Sequence, residues 1–176
     1  MARQGRGEEA IPYYRAAIAA WPGYAEARYN LALALGATGN AAEASKQLAQ
    51  AIQLDPGDAD SRFAYAKTLL ALGQPAPALE QYRQGLALRP NDSPALVGEG
   101  VALTQLGRVE EAIRTYRQAL ELDPRNPSAH NSLGWTLASQ GRIAEAVPHF
   151  ERALALDPGL EGASKNLEQA RRALGK

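Results

Sequence analysis

Apolar residues return along this chain at helical spacing, in short stretches that stop and restart. Ala27, Leu31, Ala34 and Leu35 share one helix face, as do Ala95, Ala102, Leu103 and Leu106 farther on. A second kind of stretch follows each of these. It reads Ala44, Leu48, Ala51, Ile52; then Ala78, Tyr82, Gly85, Leu86; then Ala112, Tyr116, Ala119, Leu120; then Ala146, Phe150, Ala153, Leu154. Glycine separates the first kind of helix (A) from the second (B), and proline separates B from the next A. The pattern predicts helical hairpins throughout, with no strand.

The punctuation is periodic. Pro22, Pro56, Pro90, Pro124 and Pro158 lie 34 residues apart, and so do Gly5, Gly39, Gly73, Gly107, Gly141 and Gly175. Ala10, Ala44, Ala78, Ala112 and Ala146 form a third column with the same step. Each type has a physical reason. Glycine closes helix A where a left-handed backbone is needed. Proline lacks an N–H and stops helix B. Small residues at Ala32, Ala66, Gly100 and Gly134 let two helix axes approach, and the Leu48, Tyr82, Tyr116, Phe150 column is expected to fill the wedge between units. Pro75 and Pro77 fall in the first turn of a B helix, where the N–H has no partner in any case. Pro12 and Pro148 lie about a turn later and are expected to loosen or bend the helix start.

These columns resemble the tetratricopeptide repeat. The 34-residue step, the leucine and small-residue pairs Leu31-Ala32 and Leu133-Gly134, the alanine and aromatic columns and the proline all stand in place. The resemblance implies an all-α, right-handed solenoid of antiparallel helix-turn-helix repeats. Four complete units are expected at 25–58, 59–92, 93–126 and 127–160. Residues 1–24 read as a partial unit with a B helix at 8–21, whose Ile11, Tyr14 and Ile18 lack part of their cover. This makes the chain read as a fragment of a longer array, or as one covered there by another chain. Residues 161–176 read as a capping helix, with Glu168 and Arg171 in place of the small residue and leucine a following helix would bury. The large aromatic that the family carries early in helix A is replaced by Arg28, Arg62, Leu96 and His130, at the expected cost of one packing contact.

Composition narrows the chemistry. Nineteen basic and nineteen acidic residues give a formal net charge of zero, so nothing draws the chain to nucleic acid or to an anionic membrane. There is no cysteine, so there is no disulfide or thiolate metal site. That suits a reducing cytoplasm and is compatible with a periplasm. No apolar run is long enough to span a bilayer.

The resemblance implies that A helices line an inner, concave wall. Residues four apart share a face, so the inward pairs are Tyr29 and Leu33, Phe63 and Lys67, Val97 and Val101, and Asn131 and Trp135. One reading has them packing on neighbouring A helices and merely lining the trough. The other makes them an apolar stripe that takes a peptide or helix of a partner, with Trp135 as anchor. Chaperone-binding members of the family resemble one another in a clamp of lysine, asparagine and arginine. The matching sites here hold Tyr29 and Leu33, then Ala64, then Pro94 and Gly98, so no binding to acidic chaperone tails is expected. Glycosyltransferase arrays resemble one another in an asparagine ladder. That column reads Asn30, Ala64, Gly98, Ser132, Asn166, which makes Asn30 a secondary candidate.

No catalytic residue, metal site or cofactor is expected. His130 and His149 read as isolated, and no glycine cluster forms a phosphate cradle. The function expected is therefore a protein-interaction scaffold. The competing readings are a regulatory or substrate-recruiting arm of a multidomain protein such as a glycosyltransferase, and a module that self-assembles through residues 8–21 or the groove. Glu99 breaks the column of Leu31, Tyr65 and Leu133. It is expected to find a cationic or water partner at the groove edge, with docking of a ligand as the alternative. Glu99→Leu should then leave capture of a partner in a pull-down unchanged; lost capture with unaltered stability would make Glu99 a recognition residue.

Overall fold

In the computed structural model, which describes the backbone of residues 2–175 and the side chains of residues 8–175, the described residues form ten helices and no strand. They are α1 (Ala2–Ala20), α2 (Ala25–Ala37), α3 (Ala41–Leu54), α4 (Ala59–Ala71), α5 (Pro75–Leu88), α6 (Ser93–Gln105), α7 (Val109–Leu122), α8 (Pro127–Ser139), α9 (Ile143–Leu156) and α10 (Ala163–Ala173). They fall into two compact units, Met1–Pro90 and Asn91–Lys176. In the first, α1 packs on α2, the hairpins α2/α3 and α4/α5 form, and α3 packs on α4. In the second, the hairpins α6/α7 and α8/α9 form, α7 packs on α8 and α9 on α10.

Local signals set the helix ends. Asp58, Asp92 and Asn126 stand 34 residues apart, and each accepts a backbone N–H from the first turn of its A helix. Gly39, Gly73, Gly107 and Gly141 all have φ between 70° and 83°. The residue after each glycine donates its N–H back to the carbonyl of Leu35, Leu69, Leu103 or Leu137 at 2.9–3.0 Å, which is the hydrogen bond that closes a Schellman cap. The proline turns are fastened as well. Asp55, Asp123 and Asp157 each accept the N–H of the residue two positions on, at 3.0–3.1 Å.

The core follows the predicted columns. Ala44, Ala78, Ala112 and Ala146 are wholly inaccessible, and Leu48, Tyr82, Tyr116 and Phe150 are buried beside them. The small column makes room for these large ones. A methyl on Gly100 would stand 2.4 Å from Cε1 of Tyr116, and one on Gly134 would stand 2.9 Å from Cε1 of Phe150. The ring therefore packs first on the A helix of its own hairpin. Tyr116 also reaches the next A helix, since its hydroxyl lies among Thr104, Ser132 and Thr136.

Two local expectations change. Gly5 belongs to the column of turn glycines, yet α1 is helical from Ala2 and passes through it. With no A helix ahead of it within the described residues, no turn interrupts that stretch. The capping helix begins at Ala163, after a left-handed Gly162, because Leu160 occupies the position of the capping Asp and Asn and has no side-chain acceptor. Pro12 and Pro148 both lie inside their helices, and α1 and α9 run through them.

In α1, Ala10, Tyr14 and Ala17 are half-buried, while the matching residues of α3, α5, α7 and α9 are buried. Ile11, Tyr14 and Ile18 cover the cluster of Leu31, Ala32, Leu35, Ala44 and Leu48 from one side.

Two glycines should respond to alanine in opposite directions. Gly107 has φ +72° with open space around its Cβ position, so Gly107→Ala suffers only backbone strain, roughly 1–2 kcal/mol. Gly36 lies in α2 with equal space, so Gly36→Ala should stabilise by about 0.5–1 kcal/mol. Urea unfolding of both variants checks the signs.

Candidate functional site

The predicted inward pairs separate into two sets. In the unit Met1–Pro90, Leu33 and Lys67 are both exposed, and with Gly36, Ala37, Ala64, Thr68 and Ala71 they line a recess of ≈ 380 Å³ between α2 and α4. Tyr29 and Phe63 are only half open. The Tyr29 phenol is held above its ordinary pKa by burial first, then by the negative charges of Asp60 and Asp58. Phe63 stacks on Tyr82 with centroids 6.4 Å apart and lies where a methyl on Gly85 would stand, 2.3 Å from its Cε1. The Arg89 guanidinium caps that ring at 5.5 Å from its centroid and pairs with Asp60 at 2.9 Å. Phe63 is thus committed in large part to its own hairpin. The signal was present in the sequence: Gly85 stands where the other B helices carry alanine. Asn30 is half-buried on α2.

The unit Asn91–Lys176 holds the more developed surface. Val101 on α6, Asn131, Ser132 and Trp135 on α8, and Asn166 on α10 line a recess of ≈ 280 Å³, with Thr104, Gln105 and Tyr116. A second recess of ≈ 320 Å³ lies on the other side of Trp135 and is shared by Asn166, Ile143, Gln169 and Ala170. Trp135 therefore stands between two recesses, half exposed at 50%. The Asn166 side chain donates to Asn131 Oδ1 at 3.1 Å, which ties α10 to α8. No charged side chain lines either recess. Val97 is half-buried on α6. Glu99 is half-buried too, and its charge acts on Arg108.

The Tetratricopeptide repeat family matches residues 2–59, 29–93, 63–127 and 97–161, nearly the whole length. The chain belongs to the tetratricopeptide repeat family. Solved structures show the same fold. MamA (41-end) from Desulfovibrio magneticus RS-1 is 24% identical, with 92% of this chain and 91% of that chain covered and a TM-score of 0.81. YrrB, described as a TPR protein with an unusual peptide-binding site, is 22% identical, with 97% and 86% covered and a TM-score of 0.78. PilF of Pseudomonas aeruginosa is 25% identical, with 86% and 69% covered and a TM-score of 0.77. No curated protein matches. Among the described residues no helix is long and apolar enough to cross a membrane.

In this tetratricopeptide array the family's missing aromatic is replaced by polar clasps rather than by a lost contact. Arg28 donates through Nε and Nη2 to the Pro22 carbonyl at 3.3 and 2.9 Å, and through Nη1 to Gln47 and Gln50 at 3.1 and 2.6 Å. Arg62 repeats the arrangement on Pro56, Gln81 and Gln84. Each guanidinium bolts the proline turn to both helices of its hairpin. Leu96 fills the third site as a buried apolar residue.

At the fourth site the clasp is made of histidines, and this corrects their reading as isolated. His130 Nε2 lies 3.2 Å from the Pro124 carbonyl, and His130 Nδ1 lies 3.1 Å from Nδ1 of His149. They are 19 residues apart in the chain, so helix spacing within one element could not reveal the pair; the Arg28–Gln47 and Arg62–Gln81 columns do. The carbonyl only accepts, so Nε2 of neutral His130 carries the proton and its Nδ1 accepts from His149. Burial is the main reason both imidazoles have lowered pKa values. The Arg152 charge adds to this at His130, and the charges of His130 and Arg117 add at His149.

A lowered histidine pKa means that the unfolded chain binds protons the folded chain refuses. Stability is unaffected above the ordinary pKa of about 6.5 and falls as pH drops below it. The thermal midpoint of the wild type should therefore decline between pH 7 and pH 5. It should decline less in His130→Arg/His149→Gln/Arg152→Gln, which builds the clasp of Arg28, Gln47 and Gln50 at this site. Equal declines would mean that the pair is not the proton-linked element.

Proposed function

We propose that this tetratricopeptide protein is an interaction scaffold that takes an uncharged, apolar-anchored peptide segment on the face formed by α6, α8 and α10. The carrying observation is Trp135. It is a large aromatic, half exposed, rooted on a helix and flanked by two recesses without a charged lining. A side chain so placed offers area at low entropic cost, because its helix is already ordered. Val101 supplies a further apolar contact. Asn131, Asn166 and Gln105 carry amide groups that can both donate to and accept from a peptide backbone. The opening between α2 and α4, with Leu33 and Lys67, is a second and less specific surface. Tyr29, Phe63 and Val97 support these faces from half-buried positions. Acidic chaperone tails have no matching cations at the clamp positions.

The half-buried state of Ala10, Tyr14 and Ala17 on α1 favours a second reading, association of copies through residues 8–21. Light scattering across concentrations decides it, since a mass that stays monomeric at every concentration removes this reading.

Peptides selected by display against the wild type give a direct test. Trp135→Ala should weaken the selected peptides roughly 30-fold, about 2 kcal/mol, while the thermal midpoint stays close to wild type. Peptides that bind Trp135→Ala as tightly as the wild type would place recognition elsewhere.

A further inference from the structure

We propose that His130 and His149 form a two-imidazole binding site for a late first-row divalent ion of the copper and zinc class. The geometry is that of a bidentate ligand. Two ring nitrogens at about 2.0–2.1 Å from one ion are roughly 3.3 Å apart at the tetrahedral angle of zinc and roughly 2.9 Å apart at the square-planar angle of copper. Here the two Nδ1 atoms are 3.1 Å apart, with centroids at 5.3 Å and ring planes tilted by 34°. A shift of a few tenths of an ångström in either ring brings the gap to either span.

The surroundings favour the same use. His130 gives its outer nitrogen to a backbone carbonyl. That bond turns Nδ1 toward the gap and orients the ring, as outer partners do for ligating histidines. The two rings come from facing helices, α8 and α9, which the packed hairpin holds rigid. Both rings are half-buried, so solvent reaches them. Their lowered proton affinity keeps both rings neutral near pH 7, so that only the shared Nδ1 proton stands between the two lone pairs and an ion. Binding needs one proton relocation. His149 loses its Nδ1 proton to solvent and takes one at Nε2, so no net proton is released near neutrality.

The charged groups around the pair set its strength. Arg152 and Arg117 act on the rings as positive charges and weaken the hold on a dication. Glu145, one turn before His149 on α9, is the carboxylate that opposes them; it grips Arg142 through both oxygens at 2.7 Å. Among the described residues no three histidine, cysteine or carboxylate groups converge, so water completes the coordination. A site with two imidazoles and water ranks copper above zinc.

Calorimetric titration of the untagged chain at pH 7.5 with Cu²⁺ and with Zn²⁺ tests the site. One ion per chain is expected, with copper the tighter. His149→Gln should weaken copper binding at least about tenfold. The variant His130→Arg/His149→Gln/Arg152→Gln should do the same with its fold intact, because it rebuilds the clasp of Arg28, Gln47 and Gln50. Paramagnetic Cu²⁺ should broaden the ring protons of His130 and His149 first. Copper bound equally well by the triple variant, or broadening centred elsewhere, overturns the proposal.

Discussion

Three of the four hairpins among the described residues are held together where a ring on one helix rests on a helix that carries no side chain at the point of contact. Tyr116 on Gly100, Phe150 on Gly134 and, with the roles of the helices exchanged, Phe63 on Gly85 are three versions of one interaction. Each lets two helix axes approach until the ring fills the space between them, and packing at such density tolerates little added volume. Where the pair is instead Ala32 with Leu48, a smaller side chain meets a slightly larger floor. The volume is shared differently, and the hairpin is kept.

That constraint also bears on which side chains remain available for recognition. Phe63 occupies a groove position in the repeat, yet glycine at position 85 draws its ring onto α5, and Arg89 then closes over it. Trp135 occupies the corresponding second groove position of its repeat. Leu33 and Lys67, at the same repeat position, are exposed as well, so the indole stays out by its place on the helix. Enclosure of Phe63 follows from the glycine at position 85.

Much of this was legible in the sequence, because each column answers a local demand. Left-handed turns select glycine, close approach selects alanine or glycine, and helix stops select proline; those positions came out at the predicted elements. What was not legible depended on contacts across the hairpin. Arg28 and Arg62 look like losses of an aromatic until the Pro22 and Pro56 carbonyls and the facing glutamines are placed around them. His130 and His149 looked isolated for the same reason. The recess beside Trp135 needed Asn166 from α10, a residue visible in the asparagine column but tied to Asn131 only by the fold.

A double-mutant cycle on Gly100 and Tyr116 tests the central interaction most directly. The double variant Gly100→Ala/Tyr116→Leu recreates the Ala32 and Leu48 pair found in the α2/α3 hairpin. Gly100→Ala alone should lower the unfolding free energy by roughly 1–3 kcal/mol. In the Tyr116→Leu background that cost should shrink by at least about 0.5 kcal/mol. Strict additivity would contradict the claim that ring against bare helix holds the hairpin together.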